Sequence, residues 1–196
     1  EIGGTYIAQW RKVDGRWLVC WCTNDYLGLS THPRVIRAAI EAAQRWGVGA
    51  RASRLLAGST ALHAHLEERL AAFFHTEAGI VFPSGYQANL GAIGTLVGPG
   101  DLVVLDRLAH ASLLDACRLS RATVRVFRHN DPSHAAEVLR RGARAGRRLL
   151  VTEGLFSMDG DVAPLAALQD VACQEGAWLY VDDAHGAFVL GTTGRG

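Results

Sequence analysis

The chain has 196 residues, 49% of them hydrophobic and 20% charged, with a formal net charge of +1, a length suited to one large domain. That balance gives no electrostatic footing for a nucleic acid or an anionic membrane surface as partner, and no stretch reaches the ~18 apolar residues of a membrane span. No secretory signal pattern stands at the N-terminus. The cysteines, Cys20, Cys22, Cys117 and Cys173, lack paired zinc-finger spacing and read as reduced, mostly packing residues of a cytosolic protein.

Residues 1–28 read as an N-terminal strand segment, with the apolar run Trp17–Cys22 following the turn-like Asp14-Gly15. Asn24–Gly28 leaves it as a polar-aromatic loop. A helix is expected from His32-Pro33, with Pro at its first position and Val35, Ile36, Ala39, Ile40 and Ala43 on one face, and Gly47 ends it. Gly47–Ala52 matches a loose G-x-G-x-x-A pattern, but a helix precedes it and a loop follows, so a Rossmann dinucleotide site is rejected. Ser59 or Thr60 caps a helix carrying Leu62, Leu66, Leu70 and Phe73 or Phe74. His63, His65 and His75 on or beside it lack an H-E-x-x-H arrangement, and no metal is expected.

From residue 79 short apolar runs alternate with helical patterns: strands at 79–82, 102–105, 123–127, 148–152 and 178–181, helices at 85–97, 110–119, 132–142 and 164–175. Asp131-Pro132 supplies an N-cap with Pro behind it, Gly176 a helix stop, and the Arg140–Arg148 basic run a solvated helix end and loop. The alternation predicts an α/β fold with βαβ units and a mostly parallel sheet. A boundary is placed around residues 28–34.

In such sheets ligands bind beyond the carboxyl ends of the strands. Leu179–Val181 runs there into Asp182, Asp183 and His185; Asp182 either awaits a cationic partner or caps the next turn. Ser84-Gly85-Tyr86 opens a helix whose N-terminal amides suit a phosphate, or forms a plain strand-to-helix turn. His110 can stack on a planar ligand or merely cap a helix. Glu153–Asp161 brings hydroxyls and carboxylates, Ser157 among them, to the same edge.

Seven ordered motifs carry a resemblance: Asn24–Leu29, Ser84–Asn89, His110-Ala-Ser112, His129–Asp131, Glu153–Asp161, Val181–Gly186 and Gly194–Gly196. In that order the chain resembles the α-oxoamine synthases, pyridoxal 5'-phosphate (PLP) enzymes of the aspartate-aminotransferase fold type. The closer likeness, on Asp106–Leu114 and Val151–Asp161, is to the biotin-pathway branch. The resemblance implies a fold type I large domain with helices on both sheet faces. Residues 1–30 would be an N-terminal strand segment and 31–196 part of the PLP-binding domain, roughly the family's N-terminal half. It further implies condensation of an amino acid, L-alanine expected, with an acyl-CoA or acyl-carrier-protein thioester and loss of carbon dioxide. A homodimer with the site at the subunit interface is implied as well.

By the same resemblance Asp182, His110 and His185 are the catalytic residues, and Ser84, Gly85, Tyr86, His110, Ser157, Asp182 and His185 hold the cofactor. Asp182 would keep the ring nitrogen protonated, His110 would stack on the ring, and His185 and Ser157 would reach its phenolic oxygen. Asn24 and His110 would meet substrate. Two departures stand out. Arg51 and Ala52 occupy positions where the family usually has small residues, often glycines. The family's Schiff-base lysine lies on a later loop than Gly196, while the single lysine here is Lys12, in the N-terminal strand region.

Overall fold

A computed structural model describes residues 9–196. Its contacts divide the chain into two compact units, residues 1–65 and 66–196.

The first unit opens with a hairpin of β1 (Gln9–Val13) and β2 (Arg16–Cys20), paired antiparallel. Asp14 and Gly15 both take positive φ, 49° and 80°, the two-residue turn whose twist matches that of the flanking strands. Helix α1 (Pro33–Trp46) starts at His32, whose ring accepts the Arg34 amide, and closes on Gly47. In the loop that follows, Arg51 sits at φ 62°, a left-handed conformation that glycine adopts without the Cβ penalty; its guanidinium donates to the Trp46 carbonyl at 3.1 Å. Arg51 thus takes up the backbone shape that the expected glycine would supply. A Cβ on Gly58 would overlap the Ala52 carbonyl, so this loop folds back tightly on itself. Thr60, one of the two expected caps, precedes α2 (Ala61–Phe74), and its amide donates to His63 Nδ1.

The second unit is built on a four-stranded parallel sheet in the order β4-β3-β5-β6, formed by β3 (Leu102–Asp106), β4 (Thr123–Phe127), β5 (Arg148–Glu153) and β6 (Trp178–Asp182). Between them run α4 (Ala111–Ser120), α5 (Pro132–Arg141) and α6 (Leu165–Gln174), with α3 (Gly85–Leu96) ahead of β3. Side-chain alternation divides the sheet's two faces. Val103, Leu105, Leu149 and Val151 pack with Ile93 of α3 and Leu113, Ala116 and Cys117 of α4. Leu102, Val104 and Leu150 pack with Val138 and Leu139 of α5 and Leu168 and Ala172 of α6. This is the expected α/β layering, with Asp131 capping α5 where the sequence put it by accepting the His134 amide, and Ser84 capping α3 by accepting the Gln87 amide.

Residues 79–82 depart from expectation. They form no strand, because no neighbouring strand among the described residues supplies a ladder. The Val81 amide instead donates to Glu67 Oε1 at 2.8 Å, and Ile80 is largely exposed. An apolar run becomes a strand only with a partner to satisfy its backbone. The cysteines also differ from the packing role. Cys117 is buried and its thiol pushed up to about 11 by that burial, whereas Cys22 and Cys173 are exposed and Cys20 half-buried.

Chain order and strand order together locate the site. From β3 the chain crosses by α4 to β4 on one side, then returns past β3 to β5 and continues outward to β6. The direction of winding reverses between β3 and β5, and a crevice at their carboxyl ends is the place an open α/β sheet offers a ligand.

Phe127, fully buried at the end of β4, anchors the core on the α5 side. Phe127→Ala is expected to cost about 3–5 kcal/mol, read as a lowered urea midpoint with unchanged slope; a midpoint within error of the parent would contradict this packing.

Candidate active site

A cavity of about 390 Å³ opens at this crevice, lined by Leu108–Ala111 after β3 and by Glu153 and Phe156–Asp159 after β5. A larger one, about 530 Å³, lies where β3 and β4 begin, among Arg125 and, from the basic run, Arg140, Arg141 and Arg144, and holds none of the expected catalytic, cofactor or substrate residues.

His110 is the N-cap of α4. Its Nδ1 accepts the Ser112 amide at 3.2 Å and lies 2.7 Å from Ser112 Oγ. The capping role is therefore real, and the same ring lines the cavity. The His110 amide donates to Glu153 Oε1 at 2.6 Å, tying the loop after β3 to the end of β5. Burial pushes the Glu153 carboxyl above its ordinary value of 4.5; the His110 amide opposes the shift, and Asp182 and Asp106 add to it.

Asp182 closes β6 opposite Glu153 in the ladder. One oxygen accepts the Ala184 amide at 3.1 Å, the turn-capping role; the other accepts Asn89 Nδ2 at 2.7 Å. Asn89 comes from α3, is 4% exposed, and its Nδ2 also donates to Ser112 Oγ at 2.9 Å. Its Oδ1 accepts the Tyr180 hydroxyl at 2.8 Å. Burial, with Asp182 adding, pushes the Tyr180 phenol up to about 12, so it remains a donor and settles which way the amide points. A continuous chain of hydrogen bonds thus runs His110–Ser112–Asn89–Asp182.

Asp183 is pushed up by burial and by Asp182 beside it. Gly154, Gly186 and Gly196 surround it so closely that a Cβ at any of them would overlap its carboxylate. His185 is half-buried three residues beyond Asp182. The segment after it returns to the end of α2, where Phe188 stacks on Phe73 at 4.9 Å and Arg195 donates to the Phe73 carbonyl.

Ser84 and Gly85 sit at the N-terminus of α3, where first-turn amides have no acceptor within the helix. A Cβ on Gly85 would meet nothing within 4 Å. Tyr86 donates to Asp115 on α4 at 2.7 Å. Ser157 is exposed on the cavity wall. Asn24 is exposed and belongs to the first unit. Asn89, Ser112 and Glu153 lie inside the quoted motifs without a role assigned to them, and Tyr180 lies beside one. Their partners are 23 to 93 residues away, beyond any local pattern.

Residues 17–195 match the aminotransferase class I and II family model. The chain belongs to this family. It is 55% identical over 184 residues to an 8-amino-7-oxononanoate synthase of Geobacter metallireducens, covering 94% of this chain and 47% of that one. Among solved structures, a Sphingomonas wittichii serine palmitoyltransferase superposes with a TM-score of 0.91 at 42% identity, covering 95% of this chain and 47% of that one. A serine palmitoyltransferase of S. paucimobilis with PLP and myriocin bound matches at TM-score 0.91 and 39% identity, over 95% of this chain and 48% of that one. The fold is therefore that of the PLP-dependent fold type I enzymes. The chain spans about half the length of the curated relatives it matches.

Glu153 gives a prediction whose sign is fixed. Its folded value is raised, so its contribution to stability is whole below about pH 4.5 and lost as pH rises through the folded value. Glu153→Gln, neutral throughout and still able to accept the His110 amide, is expected to raise the melting temperature by about 2–4 °C near pH 8 and by nothing near pH 4.5. A drop at both pH values would contradict it.

Proposed function

We propose that the complete protein is a PLP-dependent acyltransferase that condenses L-alanine with a pimeloyl thioester, on CoA or a carrier protein, to 8-amino-7-oxononanoate. The observation that supports the cofactor part is the hydrogen-bonded run His110–Ser112–Asn89–Asp182 beside the cavity. The substrate part rests on 55% identity to an 8-amino-7-oxononanoate synthase.

The residues present fit the cofactor. Its ring nitrogen needs a carboxylate to stay protonated, its ring a flat neighbour, and its phosphate a set of free amides. Asp182, the His110 imidazole and the α3 N-terminus with its open space at Gly85 offer these in turn. When bound, PLP draws electrons from the substrate's Cα.

The chain's own residues supply binding, orientation and charge. Asp182 would hold the proton on the ring nitrogen, since a carboxylate favours the cationic form of its partner. Asn89, oriented by Tyr180, keeps Asp182 in place and leaves its charge uncompensated. His110, its rotation restrained by Ser112 and its backbone by Glu153, would cover the bound ring. Ser84, Gly85 and Tyr86 receive the phosphate. Ser157 and His185 are assigned to the phenolic oxygen, and Asn24 to substrate in a site that a second copy of the chain completes.

The high structural similarity to serine palmitoyltransferases supports a second reading, an α-oxoamine synthase for another amino acid. Steady-state assays of the complete protein with alanine, glycine and serine against pimeloyl, acetyl and palmitoyl thioesters decide between them. A preference for alanine with the pimeloyl donor is expected. A preference for serine with a long-chain donor moves the protein to the second reading. Absence of turnover with every pair favours a non-catalytic partner subunit.

Asp182→Asn in the complete protein is expected to leave PLP binding measurable and to lower kcat by about 100-fold or more. Spectrophotometric titration and steady-state kinetics check it, and near-parental turnover would overturn the assignment.

A further inference from the structure

Beside the site stands a cluster that the proposed chemistry does not use. His129, between β4 and α5, lies between two carboxylates: Nδ1 is 2.9 Å from Asp106 Oδ1 and Nε2 is 2.6 Å from Asp161 Oδ2. Asp106 ends β3 and is buried, its second oxygen accepting the Asn130 amide and its first also the Leu108 amide. Asp161 belongs to the loop after β5. That loop closes on itself, with Leu155 bridged to Val162, the Phe156 amide on the Asp161 carbonyl and the Gly160 amide on the Phe156 carbonyl. Ser157, Met158 and Asp159 project between these ties. The loop is also attached at its start, where the Gly154 amide donates to the Asp182 carbonyl, and through Phe156, 2% exposed, whose ring meets the His129 ring edge-on at 4.4 Å. Phe156 also lines the cavity.

We propose that His129 is a positioning residue for this cavity: protonated on both ring nitrogens, it ties Asp161 to Asp106 and so holds the Gly154–Val162 loop, with Ser157, as the cavity wall. The proposal deepens the cofactor-site reading and rests on it for what the wall faces. A ring flanked by carboxylates satisfies both only by donating from both nitrogens, and charge-assisted bonds of this length are the strong ones. The groups facing the ring are Asp106 from β3, Asp161 and Phe156 from the loop, and Asn130, whose Nδ2 donates to Asp161 Oδ2 at 2.7 Å.

The titration agrees in direction. Burial works against the charged ring, but Asp106 and Asp161 outweigh it and raise His129 above 6.5, while the bond from His129 leads the lowering of Asp161 below 3.8. The tie is therefore whole below about pH 6.5 and lost as pH rises through the folded value of His129. At the acid end it persists until pH falls through the lowered value of Asp161. A deprotonated ring keeps one donor and leaves one carboxylate facing a lone pair.

The test is hydrogen exchange of the complete, cofactor-free protein, corrected for intrinsic exchange, beside a PLP titration of each variant. In His129→Gln the amides of 154–162 are expected to exchange at least about tenfold faster, with strands 102–106 and 148–153 unchanged and the PLP dissociation constant raised. In the parent the same amides should lose protection as pH rises through the folded value of His129. Unchanged protection of 154–162, or a loss shared equally by the two strands, overturns the proposal. Should His129→Gln fail to fold, Asp161→Asn removes the bridge from its more exposed end and decides on the same readout. A His129 ring found neutral below about pH 6.5 by nitrogen NMR also overturns it. If the loop loosens but PLP binds equally well, the positioning role falls. If the parent itself fails to bind PLP while 154–162 still depends on His129, the tie stands and the cofactor reading falls.

Discussion

The hydrogen bond from Asn89 to Asp182 is the constraint on which the rest of the site depends. A carboxylate at a strand end in a crevice is useful only if its orientation is set before a ligand arrives. Asn89 sets it with one amide nitrogen shared between Asp182 and Ser112, while its oxygen is held by Tyr180. Because Tyr180 is two residues before Asp182 on the same strand, donor and acceptor ends of the amide are both referred to β6. Helix α3 is thereby locked to the strand end at the turn that its own N-terminus opens. The phosphate-suited amides and the ring-suited carboxylate are parts of one rigid arrangement.

The same economy appears at His110. Capping a helix and lining a cavity are often treated as competing explanations of a histidine, and here one side chain does both. Nδ1 is used by the Ser112 amide and hydroxyl, which fixes the ring plane, and the ring contributes to the cavity wall. Asp182 likewise serves two partners at once, one oxygen on the Ala184 amide of its own turn and the other on Asn89 of α3. Cap residues are pre-organised by the helix or turn they serve, which suits them to positions where a ligand needs a fixed partner.

Much of the architecture is legible in the sequence because its signals are local. His32-Pro33, Ser84, Asp131-Pro132 and Gly176 announce helix ends through caps whose partners lie within four residues. Strands 102–106 and 148–153 announce themselves by apolar runs buried on two faces, and 123–127 and 178–182 by short apolar runs at the sheet's two edges. The run at 79–82 carries the same signal and forms no strand, since strand formation requires a neighbour that no local pattern supplies. Asn89, Glu153 and the His129 cluster escape for a related reason. Their partners are 23 or more residues distant, and only the strand order brings them together. Arg51 is the converse case: it stands where the resemblance expects a small residue, often glycine, and its backbone takes the left-handed conformation that glycine favours.

Three carboxylates stand at the ends of three adjacent strands, Asp106 on β3, Glu153 on β5 and Asp182 on β6. Each is answered by different hydrogen-bond partners along the sheet. Asp106 has an imidazole and two backbone amides. Glu153 has a single backbone amide and shifts upward. The partners of Asp182 are a carboxamide and a backbone amide, both neutral. A cationic ring nitrogen entering the crevice gains little from Asp106, whose charge His129 already balances. Near Glu153 it meets a carboxyl inclined to keep its proton. Asp182 alone of the three is held, among the described residues, by a side-chain amide and a backbone amide with no imidazole beside it, and this is the difference on which its proposed pairing with the ring nitrogen rests.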